Sequence, residues 1–562
     1  MDGPFTAPLP KRNAACACGS GKKYKHCCGR ASRAGSAAGT ASSAHQWYDL
    51  ANQRLAASDV NGAVSYYRRA VAAKPDFYQA HGNLGVLLEE RGLLPESLDA
   101  YHAASVHGAH STDAPATRNN YLTAVAHWQN RLFSLHRGGA ADLSALATEH
   151  RRFARLIERH WGSDIVPHAN YPDSDRRLRV GYVSADFREH SVAHFIEPIL
   201  ACHDREAIEL CCYFNGPPND PVTKRFRSMS TVWRDCARWT DEELVRCIRE
   251  DAIDVLVDLA GHTKGNRFIV FASRPAPVQV AYLGYPGSTE LETMDCRLTD
   301  ALCEPAGEPA ARKEEARFLS PCMVTYRPPY GANGLLGNAD APVTHAPCLL
   351  NNQVTFGCFN DLSKIGAAVV STWSRLLLAV PGARLLLKAK SLDAADSQAE
   401  WRARFERHGV HPDRLMFLGR DRTVADHLRR YADIDLALDT FPYSGVTTTC
   451  EALWMGIPVI SLAGSSVGGR MGLSILSAFG EPNWVAGSTE EYVRIAAALA
   501  ADPIDIERRR QSGRDRFERS PLADAAALAR QIEGAYRDAW RHWCAGQLSG
   551  SQIPRASRRT PH

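Results

Sequence analysis

Downstream of Pro172-Asp173 the chain alternates short apolar runs with longer amphipathic stretches. The runs predict strands at Leu178–Ser184, Leu210–Phe214, Asp254–Leu259 and Val278–Leu283, with helices between them at His194–Cys202 and Asp241–Asp251. An irregular, Pro-rich stretch follows from Cys303 to Asn352. A second series of strands is then expected at Val354–Phe359, Arg384–Lys388, Arg414–Leu418, Ile434–Asp439 and Pro458–Leu462, closed by long helices that include Leu522–Gln547. Strands that alternate with helices imply parallel sheets covered on both faces. The expected fold is therefore two doubly wound domains in tandem, facing each other across a cleft, with ligands at the carboxyl ends of the strands. No Gly-x-Gly-x-x-Gly follows the first strand and no P-loop string is present, which argues against NAD and against a P-loop ATPase.

Upstream the period changes. Trp47, Leu50, Ala63, Tyr67, Ala70 and Pro75 are answered 34 positions later by His81, Leu84, Ser97, Tyr101, Ala104 and Ala109, with Gly85 adding a small residue beside Leu84. This is the tetratricopeptide (TPR) spacing, in which small residues let two antiparallel helices pack closely. Two repeats are few for a free-standing solenoid, so they must cap on further helices. They can serve as a spacer or as a groove for a protein partner.

Composition changes the picture little. The 562 residues exceed one core and suggest several domains. No run is long and apolar enough to predict a transmembrane helix, and the first residues do not read as an export signal. The net charge of +4 is concentrated at the ends: residues 1–33 carry an excess of six positive charges and residues 549–562 of three, leaving the body at −5. A nucleic-acid enzyme would place its positive charge on the folded body, so nucleic acid is not an expected partner.

Of 16 cysteines, four fall in the string CACGSGKKYKHCCGR of residues 16–30. Cys16 and Cys18 form one pair, Cys27 and Cys28 the other, and Gly19 and Gly21 let the intervening backbone fold back. Such a loop can supply four soft ligands to a tetrahedral zinc ion, with Lys22, Lys23 and Lys25 favouring thiolate. A disordered, Cys-containing tail is the other reading of the same spacing. The string is similar to the SEC-C zinc motif at the end of the bacterial SecA translocation ATPase, with Cys28 where that motif has histidine. The other twelve cysteines read as reduced core thiols.

Three strand ends carry chemistry. Asp439-Thr-Phe-Pro-Tyr-Ser-Gly445-Val-Thr447-Thr448-Thr449-Cys-Glu451 runs from a strand through a turn into a helix whose first residues are hydroxylated, a pattern that suits an anion. Glu451, one turn in, can accept from a ribose hydroxyl or serve only as a cap. Asn360, Asp361 and Lys364 follow the first strand of the second half, where a lysine can hold a diphosphate as a point charge. In the first half His190 follows the first strand and Asp258 and His262 follow the third, and a cleft histidine can act as a general base or bind a phosphate.

Residues 176–545 resemble the catalytic region of the O-GlcNAc transferase/SPINDLY family of glycosyltransferases, through RLRVGYVSADFREHSVAHF, VDLAGHTKGNR, RPAPVQVAYLGYPGSTE, FGCFNDLSKI and DTFPYSGVTTTCEALWMGIPV. The resemblance implies an α/β GT-B fold of two Rossmann-like domains facing a cleft. It also implies a nucleotide-diphosphate sugar donor, no catalytic metal, and inverting transfer to Ser/Thr hydroxyls of proteins. It matches His190 to the active-site histidine, Lys364 to the lysine on the donor diphosphate, Thr447 and Thr448 to phosphate-binding threonines, and Glu451 to the acid on the ribose. His427, with Arg430 one turn away, matches the histidine that stacks on the base. Asp361 replaces a glutamine of the animal enzymes and Val446 a histidine. The string Gly445-Val-Thr-Thr-Thr-Cys-Glu looks closer to SPINDLY proteins, whose plant members transfer fucose from GDP-fucose.

The expected organisation is thus a SEC-C zinc motif at 11–30, a flexible linker at 31–44, tetratricopeptide repeats at 45–110 and a helical connector at 111–172. Catalytic Rossmann-like domains follow at 173–322 and 353–548, joined by a linker at 323–352, and a basic tail closes the chain at 549–562. The expected function is a cytoplasmic protein O-glycosyltransferase using UDP-GlcNAc, with structural Zn2+ and a protein or peptide acceptor bound by the repeats. The alternatives are a GDP-fucose-dependent O-fucosyltransferase, a non-catalytic repeat scaffold, and another GT-B enzyme such as a sugar-nucleotide epimerase.

The cysteine spacing makes a direct prediction. Purified protein should carry one zinc per chain by metal analysis, and the Cys16→Ser/Cys27→Ser double variant should carry none. Equal zinc in both would refute the ligand set.

Overall fold

In a computed structural model the chain is described over residues 40–109, 118–138, 143–162, 165–217, 220–304, 314–328 and 341–550. Cys16, Cys18, Cys27 and Cys28, the linker at 31–39 and the tail beyond 550 lie outside these residues. The chain divides into two compact units, one of residues up to Glu89 with Leu93–Trp128, the other of Glu90–Gly92 with Gln129 onward.

The first unit contains the repeats. Helices Thr40–Ala56 and Val60–Ala73 form one pair, Tyr78–Glu90 and Leu94–Ala109 the next. The 34-residue pattern is where burial falls: Ala63, Tyr67 and Ala70 are buried, and so are Ser97, Tyr101 and Ala104. Gly85 shows why a small residue recurs, because a Cβ there would lie 2.7 Å from the Tyr101 ring. Ser97 donates its hydroxyl to the Gly85 carbonyl at 2.9 Å, so this buried polar residue is satisfied.

The second unit carries two all-parallel sheets. The first contains β1 (Leu178–Ser184), β2 (Ile208–Phe214), β3 (Val232–Asp235), β4 (Val255–Asp258), β5 (Val278–Ala281), β6 (Cys296–Asp300) and β7 (Glu315–Leu319). Their order is β3-β2-β1-β4-β5-β6-β7. The second contains β8 (Thr355–Cys358), β9 (Arg384–Lys388), β10 (Leu415–Leu418), β11 (Leu436–Leu438), β12 (Val459–Leu462) and β13 (Val485–Ala486), in the order β10-β9-β8-β11-β12-β13. Both sheets start in the middle, run to one edge, then cross over and run to the other. The two-domain parallel architecture expected from the alternation is the one observed.

Four strands, β3, β6, β7 and β13, are not among those expected from the apolar runs. β3 and β7 are edge strands with partly exposed side chains, β13 has two residues, and β6 carries buried Arg297 and Asp300, which break an apolar run. The stretch read as irregular from Cys303 therefore holds a strand. The connector drawn at 111–172 divides at Trp128/Gln129, and its later part is built into the second unit. Finally, the closing helix Ala525–Gly550 was assigned to the second sheet's domain but packs on the first sheet. Tyr536 and Tyr182 share a hydrogen bond at 3.1 Å, Glu533 accepts from His203 at 2.8 Å, and the Trp540 indole donates to the Asp173 carbonyl at 2.8 Å.

All twelve cysteines among the described residues are free thiols, ten of them buried. Among the same residues no helix is long and apolar enough to cross a membrane.

Because Trp540 is fully buried at that junction, Trp540→Ala should lower the stability of this unit by about 3–5 kcal/mol. Denaturant unfolding followed by circular dichroism should show the midpoint move down. An unchanged midpoint would mean that the helix is not part of the cooperative core.

Candidate active site

Strand order reverses at β1/β4 in one sheet and at β8/β11 in the other. At such a point the loops leaving the carboxyl ends of neighbouring strands diverge and leave a crevice. The two crevices contribute to one cleft of about 770 Å³, lined by residues of both halves. Its ionisable lining is Arg137, Arg188, Lys264 and Lys364 against Asp186 and Asp361, with His190. Four cations against two carboxylates make the cleft a place for an anion.

The second sheet supplies the better-built wall. Asn360, just past β8, donates to Asp439 at 3.3 Å and accepts from the Thr448 hydroxyl at 2.8 Å. Asp361 accepts the Ser363 N–H at 2.9 Å and starts the short 3-10 turn that presents Lys364. The Lys364 ammonium donates to the Ser444 carbonyl at 3.1 Å and stands 4.7 Å from the centre of the Tyr443 ring. Burial, together with the charge of Arg137, pushes its pKa down to about 8, with Asp439 and Asp361 opposing.

The helix Thr447–Trp454 opens on Val446, and no side chain caps its first turn. Its leading N–H groups are therefore available to an anion. Thr447 and Thr448 line the cleft, whereas Thr449 is buried behind them. Gly445 is required for close approach: a Cβ there would lie 2.6 Å from the Thr448 hydroxyl and 3.0 Å from the Asn360 carbonyl oxygen. Its N–H donates to Asp439 at 2.6 Å.

Behind this wall His427, Glu451 and three residues that the sequence reading did not single out form one network. Lys388, the last residue of β9, donates to His427 Nδ1 at 2.8 Å and pairs with Asp421 at 3.3 Å. An acceptor at Nδ1 places the hydrogen of neutral His427 on Nε2, which meets Glu451 at 3.0 Å. Tyr431 donates to the same carboxylate at 3.1 Å. Burial raises the Glu451 pKa, but His427, His194 and Tyr431 outweigh it and hold the carboxyl below its ordinary value. Glu451 is therefore buried and engaged by protein groups, more than a residue presented to a ribose. Arg430 pairs with Asp421 at 3.1 Å and not with His427.

On the first sheet's side His190 lines the cleft. Its Nδ1 accepts the Val192 N–H at 3.3 Å and lies 3.5 Å from Asp186. In that arrangement the neutral ring carries its hydrogen on Nε2 and offers a donor there. Burial lowers its pKa, Asp186 opposes and Arg188 adds to the lowering, so the neutral form is favoured. Asp258 and His262 are not at the cleft. Asp258 is buried, receives the N–H groups of Ala260 and Gly261 at 2.9 and 3.1 Å, and shapes the turn after β4. The His262 ring is wholly buried against Phe268 (4.7 Å) and Tyr285 (4.8 Å). Lys264 of the same loop, which the motif contained, lines the cleft instead.

Among the described residues no group of three or more His, Cys, Asp or Glu side chains is arranged to hold a metal ion.

Comparison with known proteins gives consistent matches. The model of glycosyl transferase family 41 matches residues 160–323 and 344–532, and the SEC-C motif matches residues 12–30. The "Probable UDP-N-acetylglucosamine--peptide N-acetylglucosaminyltransferase SPINDLY" of Petunia hybrida is 36% identical over 428 residues, 75% of this chain and 44% of that protein. The Arabidopsis thaliana protein of the same description with the suffix SEC is 30% identical over 374 residues, 66% of this chain and 38% of that protein. The chain thus spans less than half the length of these relatives. A mutant of Thermobaculum terrenum O-GlcNAc transferase superposes with a TM-score of 0.76 at 32% identity, covering 91% of this chain and 100% of that one.

The depressed Lys364 pKa gives a signed prediction. Lysine loses its charge as pH rises, so affinity for sulfate, an anion whose own charge is constant in this range, should fall through about pH 8, as measured by calorimetry from pH 7.5 to 9. Lys364→Arg keeps its charge in that range and should show a flat profile. A flat profile in the wild type would remove Lys364 from anion binding.

Proposed function

The chain belongs to glycosyl transferase family 41, and from that premise we propose that it is an inverting, nucleotide-sugar-dependent protein O-glycosyltransferase, moving N-acetylglucosamine from UDP-GlcNAc to Ser/Thr hydroxyls. The observation that carries this reading is the convergence of the Lys364 ammonium, the Thr447 and Thr448 hydroxyls and the uncapped helix start on one wall of a cleft with excess positive charge. In the reaction the acceptor oxygen bonds to the anomeric carbon from the face opposite the diphosphate. The carbon–oxygen bond to the diphosphate breaks, and the leaving group takes the electron pair. Negative charge grows there, and groups already aimed at it lower the barrier without having to reorganise. The acceptor hydroxyl also gives up its proton, which passes to an oxygen of the departing diphosphate as negative charge grows there. With its hydrogen on Nε2, His190 is better suited to donate to a substrate oxygen than to take that proton, and we assign it the donor's part.

UDP-GlcNAc is favoured because the relatives' names specify it. We propose that the repeats present the protein acceptor, that the cysteine motif holds a structural zinc, and that the protein works in the cytoplasm, where free thiols persist.

Two measurements test the donor site. Lys364→Ala should lower transfer by a hundredfold or more, the usual scale for removing one such group, while circular dichroism stays that of the wild type. An active Lys364→Ala enzyme would overturn the site. Thermal shift with UDP and GDP in parallel reads the nucleotide, since a ligand at about 100 times its Kd adds about 2.7 kcal/mol. A shift with GDP alone would replace UDP-GlcNAc by a guanosine-diphosphate sugar.

A further inference from the structure

We propose that Arg91 and Gly92 are positioning residues for the donor site: the turn they form backs the carbonyl of Leu362 and so sets where Lys364 stands in the cleft. The inference rests on reading the cleft as a nucleotide-sugar site and adds to it two residues that act through Lys364.

Residues 90–92 lie between the helices Tyr78–Glu90 and Leu94–Ala109, yet they belong to the second compact unit. Gly92 has φ +70°, the left-handed conformation that ends many helices, and the Leu93 N–H closes the end by donating to the Leu88 carbonyl at 2.9 Å. The helix end accounts for the conformation but not for the lack of space around it. A Cβ on Gly92 would lie 2.8 Å from the Leu362 carbonyl oxygen and 3.0 Å from the Trp401 ring. Trp401 is fully buried, so it has no room to move aside.

The helix Ala395–Glu406 fastens the turn in place. Arg91 pairs with one oxygen of Glu400 at 2.9 Å, and Arg404 donates to the other at 2.8 Å. Arg404 also donates to the Gly92 carbonyl at 3.3 Å, with its guanidinium 4.1 Å from the centre of the Trp401 ring. Burial raises the Glu400 pKa, but the two arginines outweigh it and hold the carboxyl below its ordinary value.

Leu362 carries this packing to the cleft. It is buried, it opens the 3-10 turn Leu362–Lys364, and its carbonyl accepts the Ile365 N–H at 3.0 Å. Lys364 is two residues further on, and its ammonium is held at the far end by the Ser444 carbonyl. A turn this short has no slack, so a shift of the Leu362 peptide is passed to the ammonium. Groups that stabilise a developing charge act only from the right place, and small displacements are costly.

The test uses full chains. Gly92→Asn keeps a residue that tolerates the left-handed conformation and adds a side chain against Leu362. Arg91→Ala removes only the ion pair with Glu400, and Arg91→Lys keeps its charge. Affinity for UDP, or for GDP if the wild type prefers that base, is read by calorimetry, or by ligand-observed NMR where it is weak. Gly92→Asn should weaken the diphosphate about tenfold and Arg91→Ala about threefold, with Arg91→Lys close to wild type. Arg91→Ala carries the test if Gly92→Asn melts early by circular dichroism. The deciding arm repeats both substitutions in Lys364→Ala. An effect that acts through Lys364 vanishes there, whereas a general loosening of the fold weakens both backgrounds alike. Unchanged affinity in Gly92→Asn and Arg91→Ala, or equal losses with and without Lys364, would overturn the inference. Weakened binding in Lys364→Ala with none in the turn variants sinks only the role of the turn. A wild type that binds neither diphosphate sinks the donor-site reading and this inference with it.

Discussion

The arrangement of the donor wall depends on one buried carboxylate. Asp439 immediately follows β11 and accepts the Thr440 N–H at 2.9 Å, the Gly445 N–H at 2.6 Å, the Asn360 amide at 3.3 Å and the Ser461 hydroxyl at 2.6 Å. Those donors come from the turn after β11, the segment after β8, and β12. Burial pushes the Asp439 pKa up to about 6, while these donors and the Lys364 charge pull the other way. A carboxylate so enclosed is tolerated only when its lone pairs are filled, so the turn, Asn360 and Lys364 have little freedom to move independently. Asn360 passes the constraint on by accepting from Thr448, which sets the hydroxyl at the helix start. Position and charge at the cleft wall thus trace back to a residue that does not line the cleft.

Much of this wall was legible in the sequence because strand ends were. Lys364, Thr447 and Thr448 each follow an apolar run by a few residues, and a parallel sheet brings the carboxyl ends of its strands to one edge whatever the loop lengths. The same logic placed Asp258 and His262 at that edge, and there it failed. The position of a strand end is readable from apolar periodicity, but the direction of a side chain within a turn is not. The Asp258 carboxylate turns back onto the N–H groups of its own loop, and His262 turns into an aromatic cluster that includes Tyr285. Arg137 and Phe133 were not legible, since they lie well upstream of the first strand, which starts at Leu178. Only because the end of their helix, from Gln129, belongs to the second unit do they reach the cleft.

The network around His427 differs in kind from the one around Asp439. Lys388, His427, Glu451 and Tyr431 are bound in sequence, from a β9 end through two helices to a 3-10 turn. Lys388 fills Nδ1 of His427, which fixes the ring hydrogen on Nε2, which in turn engages Glu451. Polar chains of this type polarise along their length. Residues that the family resemblance assigns separately to base and ribose therefore act as one unit in this protein, and replacing any one of them alters the hydrogen-bonding of the others. The wall around Lys364 is held by a single hub, Asp439, and can lose a peripheral group while the hub stays filled. The His427 network has no such hub. A change at any one of Lys388, His427 and Glu451 should therefore disturb the other two, whereas Val446, whose apolar side chain stands at the helix start, donates no side-chain hydrogen bond to the network.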